Sequence, residues 1–153
     1  MIAVTGLGAI SSVGANTREL RDAIRQGRTG IGPLTRFDCG TVAARPVCQV
    51  PELPPGPGSA SHRLALAAAD EAVRDAGCDA RRAAILVGTT TGGISDSERW
   101  YLSHLAGAEP DPGPLRHHAA STISHAVAQA LGSAGPRVTL STACSSGANT
   151  ITM

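Results

Sequence analysis

The stretch "AAILVGTTTGG", residues 83–93, sets the first limit on the fold. From about residue 84 to 89 it is apolar almost without a break, and it is too short for a buried helix. A strand with one wet face alternates; a continuous apolar run of this length reads as a strand covered on both faces. The flanking segments have a helical period. Leu64, Ala68, Ala72, Val73 and Ala76 fall on or near one stripe, in a helix that can start at Ser59 or Ser61 and stops at Gly77. "SHAVAQALG" is a helix ending at Gly132, and "RVTLS", residues 137–141, is a second short strand.

The remaining segments extend the same alternation. "IAVTG", residues 2–6, reads as a short buried strand followed by a Gly/Ser loop. Asn16 is placed to cap the next helix, with Glu19 three residues on in a capping-box pattern. Leu20, Ala23 and Ile24 give that helix one apolar face, and Gly27 ends it. "TVAARPVCQV" suits one or two edge strands interrupted by Pro46, "PELPPGPGS" is a rigid surface loop, and "SERWYLSHLAG" is a short helix. Strands alternating with helices predict an α/β layered fold with a mixed sheet. At 153 residues the chain is one domain by length.

Composition excludes more than it assigns. The hydrophobic fraction is 42%, and there is no apolar run of about 18 residues, so no membrane span is predicted and a cytoplasmic location follows by default. The net charge is +1 with both signs interspersed, and the only aromatics are Phe37, Trp100 and Tyr101, which leaves nucleic-acid binding unsupported. Cys39, Cys48, Cys78 and Cys144 form no CxxC pair, and no metal site or cofactor is expected. The first three read as ordinary small buried or half-buried residues. "TGLGAISSVG" offers Gly6 and Gly8 to a dinucleotide fingerprint but has Ser11 at the third position, with the next glycine at Gly14. These glycines read instead as a tight turn in close backbone contact with a neighbouring strand.

Cys144 has distinctive surroundings. A strand delivers the chain to it, and a helix starts at it or just after. The first amides of a helix have no partner within it and favour an anion, a thiolate included. The same amides can receive the oxygen of a thioester carbonyl under attack. Ser145, Ser146 and Gly147 keep the approach open. A plain buried cysteine in a tight strand–helix turn fits the same spacing. Ser145 and Ser146 are weaker nucleophile candidates, because no histidine base can be assigned to either and the G-x-S-x-G elbow is not matched. His62, His104, His117, His118 and His125 read as surface or hydrogen-bonded polar residues.

Taken in order, "IAVTGLGAISSVG", "LRDAIRQGRTGIGPLTRFD", "LALAAADEAVRDAG", "ILVGTTTGG" and "GPRVTLSTACSSGANTI" resemble the N-terminal half of a β-ketoacyl synthase, a condensing enzyme of the thiolase-like superfamily. The resemblance covers nearly the whole chain, so residues 1–153 are expected to form the N-terminal part of one synthase domain, incomplete at the C-terminus. It implies that Cys144 accepts an acyl group from the thioester of an acyl carrier protein or coenzyme A, with its backbone N–H as one oxyanion donor. It further implies decarboxylation of a malonyl thioester to an enolate that attacks the acyl-Cys144 carbonyl. The two histidines, lysine and second oxyanion donor of that chemistry are C-terminal-half features. The resemblance therefore implies a C-terminal half on the same or a separate chain, a homodimer or heterodimer partner, and a lone chain that is poorly soluble and inactive. Non-elongating acyltransferases or decarboxylases, and non-catalytic halves of heteromeric synthases, are relatives with the same outline. Ser121 stands near a position where many members carry asparagine. Arg45, Arg63, Arg74, Arg81 and Arg82 are the candidates for meeting an acidic carrier protein.

Overall fold

The computed structural model describes residues 3–38, 40 and 46–153. Helix α1 spans Thr17–Arg25. Strands β1 (Ile31–Gly32) and β2 (Val47–Cys48) form a small antiparallel ribbon, in which Ile31 faces Cys48 and Gly32 faces Val47. Helix α2 (Ala60–Ala76) leads through a 3₁₀ turn at Ala80–Arg82 to strand β3 (Ile85–Gly88). Helix α3 (Ile94–Leu105), a 3₁₀ turn at Gly113–His117 and helix α4 (Ser121–Ala130) connect it to strand β4 (Arg137–Leu140). A last 3₁₀ turn, Ala143–Ser145, opens helix α5 (Ser146–Thr152). Strands β3 and β4 run parallel, with Ile85 opposite Arg137 and Gly88 opposite Leu140. The α/β reading is met, with a two-stranded parallel sheet and a separate two-stranded antiparallel ribbon.

Local signals placed most boundaries. The Asn16 side chain accepts from the Glu19 amide at 2.9 Å, and its own amide group donates to the Glu19 carboxylate at 2.9 Å. Glu19 also accepts from the Ala15 amide, one residue ahead of the cap, so the box closes on its outer side. Gly77 ends α2 at φ 58°, in the left-handed region that a side chain resists. Both α3 and α4 begin three residues earlier than the sequence suggests, at Ile94 and Ser121.

Small residues build the core. Ile85, Val127 and Ala128 are its buried centre, with Leu66, Val87 and Leu131 packed around them. Alanines at 65 and 69 of α2 face the same cluster, which lets helix and sheet approach closely. Hydroxyls beside the core are tied off: the Thr139 hydroxyl donates to Ser124 at 2.9 Å, and Ser124 donates to the Ser121 carbonyl. His62, 2% exposed, sits between Ser59 (2.7 Å at Nδ1) and Thr122 (3.0 Å at Nε2), with the edge of His117 at 5.0 Å.

Four expectations are corrected. Residues 3–10 form no strand, and Val4 and Leu7 are 80% and 59% exposed rather than buried; residue 2 lies outside the described residues. A strand exists only by virtue of a partner ladder, and among the described residues none lies alongside. Helix α2 holds this segment instead. Asp75 accepts from the Leu7 amide at 2.9 Å, and Glu71 accepts from Ala9 at 3.0 Å and from the Thr17 amide and hydroxyl at 2.9 and 2.6 Å. Gly6 and Gly8 accordingly press on this helix rather than on a strand; a Cβ at Gly8 would strike the Ala68 carbonyl. On α1, Ala23 is fully buried but Ile24 is 69% exposed, at the rim of a groove it shares with Leu7. Cys48 and Cys78 are exposed, the first on the two-stranded ribbon and the second just past the end of α2; Cys39 lies outside the described residues.

Two predictions follow from α2. The Thr17 hydroxyl, then the Ala9 and Thr17 amides, hold the Glu71 carboxyl below its ordinary range. A depressed carboxyl stabilises the fold above the ordinary carboxylate range, and that contribution is lost as pH falls through the depressed value. Glu71→Gln is expected to cost about 1–2 kcal/mol at neutral pH in a thermal or denaturant melt, and to flatten the acid limb of the stability curve. Burial, followed by the neighbouring His117, pushes the His62 imidazole below its usual value. The unfolded chain then takes up this proton before the folded one does, so stability is full above the ordinary imidazole range and declines as pH drops below it. A His62→Gln variant is expected to melt lower at neutral pH and to lose the slope between about pH 6.5 and the depressed value.

Candidate functional site

Two loops leave the carboxyl ends of the parallel strands, the place where open α/β sheets collect their ligand-facing groups. One is the Thr/Gly loop after β3. The other is the turn after β4 that carries Cys144.

The Cys144 turn is sharp and over-determined. Ala143 has φ 53°, a left-handed conformation that costs a non-glycine residue about 1–2 kcal/mol. Four side chains hold it there. Ser146, 3% exposed, accepts from the Thr142 amide at 2.9 Å and donates to the Ala143 carbonyl at 2.7 Å. Ser145 donates to the Thr142 carbonyl at 2.8 Å. Asn149 donates to the Thr142 hydroxyl at 2.8 Å. From the neighbouring loop, the Thr90 hydroxyl reaches the Ala143 carbonyl at 3.4 Å. Strain of this kind persists only where surrounding contacts hold it, and it concentrates at functional turns.

Close packing fixes the height of the turn. A Cβ at Gly88 would run into the Ser146 carbonyl and the Gly147 amide, so the end of β3 admits only glycine at this approach. With β3 pressed against the first turn of α5, Cys144 projects outward. Its thiol is free and exposed in this chain. Among the described residues, the Cys144 amide donates to no acceptor. The helix starts at Ser146, two residues after Cys144, which is itself the middle residue of the 3₁₀ turn Ala143–Ser145.

The other candidates occupy structural places. The Ser146 hydroxyl is spent at both ends, and Ser145 is turned onto Thr142. His62 belongs to the α2–α4 junction. His104 stacks on Trp100 at 5.2 Å, His118 bonds Ser97 at 2.9 Å, and His125 bonds the Ser121 carbonyl at 2.8 Å. Among the described residues, no histidine hydrogen-bonds to the Cys144 turn. Ser121 serves as the first residue of α4. Arg74 pairs with Asp70 at 2.8 Å and Arg81 with Asp79 at 2.7 Å, whereas Arg45 lies outside the described residues. No group of His, Cys, Asp and Glu among the described residues could hold a metal ion, and no helix there is long and apolar enough to cross a membrane.

Sequence reasoning missed the residues that hold the cysteine. Thr142, Ser146 and Asn149 stand at i, i+4 and i+7, the spacing of one helical face, and that polar stripe was the available signal. Gly88, ending an apolar strand, was the other: a glycine in such a place marks a close backbone approach. The positive φ at Ala143 had no local signal.

Comparison with known proteins agrees with this geometry. Residues 59–153 match the family described as "Beta-ketoacyl synthase, N-terminal domain". A putative polyketide β-ketoacyl synthase 1 of Streptomyces cyaneus is 31% identical across 98% of this chain and 41% of its own length. A 3-oxoacyl-[acyl-carrier-protein] synthase 2 of Synechocystis is 30% identical across 98% of this chain and 40% of its own length. Among solved structures, the ishigamide ketosynthase/chain length factor superposes with a TM-score of 0.83 and 33% identity, over 92% of this chain and 40% of the other. The chain thus spans about two-fifths of the length of these relatives. With the strand–turn–helix around Cys144, the parallel β3–β4 pair and this match over most of its length, the chain belongs to the β-ketoacyl synthase family, in the region of its N-terminal domain.

Proposed function

We propose that residues 1–153 supply the cysteine-bearing part of a ketosynthase-type condensing assembly, and that its contribution to chemistry is acyl transfer at Cys144. The single observation that carries this reading is an exposed thiol held on a strained, cross-braced turn at the carboxyl end of a parallel strand pair. In the step itself, the Cys144 sulfur attacks the carbonyl of an acyl thioester presented by a carrier protein or coenzyme A. A new C–S bond forms, the tetrahedral oxyanion is met by the Cys144 amide, and the carrier thiol leaves with a proton.

Condensation asks for more than this chain brings. Decarboxylation of a malonyl thioester and stabilisation of the enolate need acid–base groups beside the sulfur. No histidine hydrogen-bonds to the Cys144 turn among the described residues, and the chain has thirteen arginines and no lysine. The reading therefore places those groups on a C-terminal half or a partner subunit, and the paired ketosynthase and chain length factor among the similar structures support a two-part assembly. These observations support the two alternative readings better than condensation by a synthase that a C-terminal half completes. In one, the chain accepts or releases acyl groups without elongating them; in the other, it is a non-catalytic half whose role is to complete a heteromeric synthase.

The test is intact-protein mass spectrometry of the completed assembly after incubation with an acyl thioester and then with malonyl thioester. A mass increase of one acyl group, mapped to Cys144 and absent in Cys144→Ala, supports acyl transfer. Its further conversion to a released β-ketoacyl thioester supports condensation, and its persistence supports the non-elongating reading. No acyl adduct in an assembly that binds its partner normally leaves the structural role. A second measurement addresses the turn. Gly88→Ala forces the end of β3 away from Ser146; it is expected to cost about 1–3 kcal/mol of stability and to slow acylation of Cys144 relative to wild type at equal folded protein.

A further inference from the structure

Helices α2 and α3 bring their N-termini to one cavity of about 440 Å³, beyond the carboxyl end of β3 and away from Cys144. Arg36, Arg63 and Arg99 line it, with Asp96 as the one carboxylate and Phe37 and Leu53 as an apolar wall. We propose that this cavity binds a small ligand through a phosphate or pyrophosphate group.

The guanidinium of Arg63 carries the argument. Its Nε is closed off from solvent and has no acceptor among the described residues. A buried donor without a partner is costly and uncommon, so Arg63 gains by turning its guanidinium toward an oxygen acceptor in the cavity it lines. The other two arginines are held at the same wall. One terminal nitrogen of Arg36 donates to the Val50 carbonyl, the one side-chain bond Arg36 makes among the described residues. Arg99 stands 3.8 Å from Asp96, a loose pair with the arginine 81% exposed. Three guanidinium groups against one carboxylate leave the cavity positive, and planar forked donors match phosphate oxygens better than point charges do.

The helix ends reinforce the same sign. The Ser59 hydroxyl at the start of α2 is committed to His62, and α3 is preceded by Gly93, so neither N-terminus has a side-chain cap. Both helices are long enough, at 17 and 12 residues, to present a dipole to an anion. Gly92 and Gly93, which line the cavity, follow Thr90, whose hydroxyl touches the Cys144 turn. The site is thus joined to that turn through one loop, yet its occupancy does not depend on any role for Cys144.

The experiment is calorimetric titration of the completed assembly at low salt with inorganic phosphate, pyrophosphate and malonate. Saturable pyrophosphate binding, weakened by about tenfold in Arg63→Gln and in Arg99→Gln, is the expected result. Arg99 is solvent-exposed, so its variant keeps the fold even if Arg63→Gln does not, and unchanged far-ultraviolet dichroism verifies this. Three outcomes overturn the proposal: no saturable binding of phosphate or pyrophosphate, equal binding by wild type and Arg99→Gln, or malonate binding as tightly as pyrophosphate, which assigns the arginines to carboxylates.

Discussion

The contact between Gly88 and the first turn of α5 governs the rest of the site. At that point the end of a sheet strand and the start of a helix touch backbone to backbone. Any side chain would hold them apart by more than the turn can absorb. The approach sets where Ser146 lies, and Ser146 in turn reaches back to the Thr142 amide and the Ala143 carbonyl. Ala143 can then occupy a left-handed conformation, and Cys144 is thrust outward as a consequence. A loosened strand end would let the turn relax, and the thiol would lose its fixed position before it lost its chemistry.

The same economy of small residues runs through the fold. Gly6 and Gly8 let the N-terminal segment lie against α2, and alanines at 65 and 69 let α2 approach the parallel strands. Close backbones leave little apolar area in each contact, so polar clamps take a larger share of the work. Glu71 alone gathers two amides and a hydroxyl from Ala9 and Thr17. His62 joins the start of α2 to the start of α4 through Ser59 and Thr122. Both clamps weaken as the medium is acidified, by opposite chemistry: one loses its charge, and the other is unfavourable to charge.

Much of this was legible residue by residue. The capping pair Asn16 and Glu19, the stops at Gly77 and Gly132, and the strands at 85–88 and 137–140 all rest on local rules. Local rules fail where the outcome belongs to a neighbour. Residues 3–6 have the composition of a strand, but a strand is a property of a pair, and the chain is tied just after them by the Leu7 and Ala9 amides to carboxylates on a helix instead. Ile24 has the right period for a buried face, yet only Ala23 is covered. Cys48 and Cys78 are of a type that is usually inside and stand outside, because they lie on a narrow ribbon and past a helix end.

From the sequence alone came the family, the α/β order and the singling out of Cys144, since each rests on motif order or on periodicity along the chain. The tertiary structure alone decided that the cysteine is exposed, that Thr142, Ser146 and Asn149 brace its turn, and that three arginines from separate segments meet at one cavity. The physical reason is the same in each case. Covalent neighbours fix dihedral preference and pattern, whereas exposure, strain and the meeting of like charges depend on groups far apart in the chain, brought together only by packing.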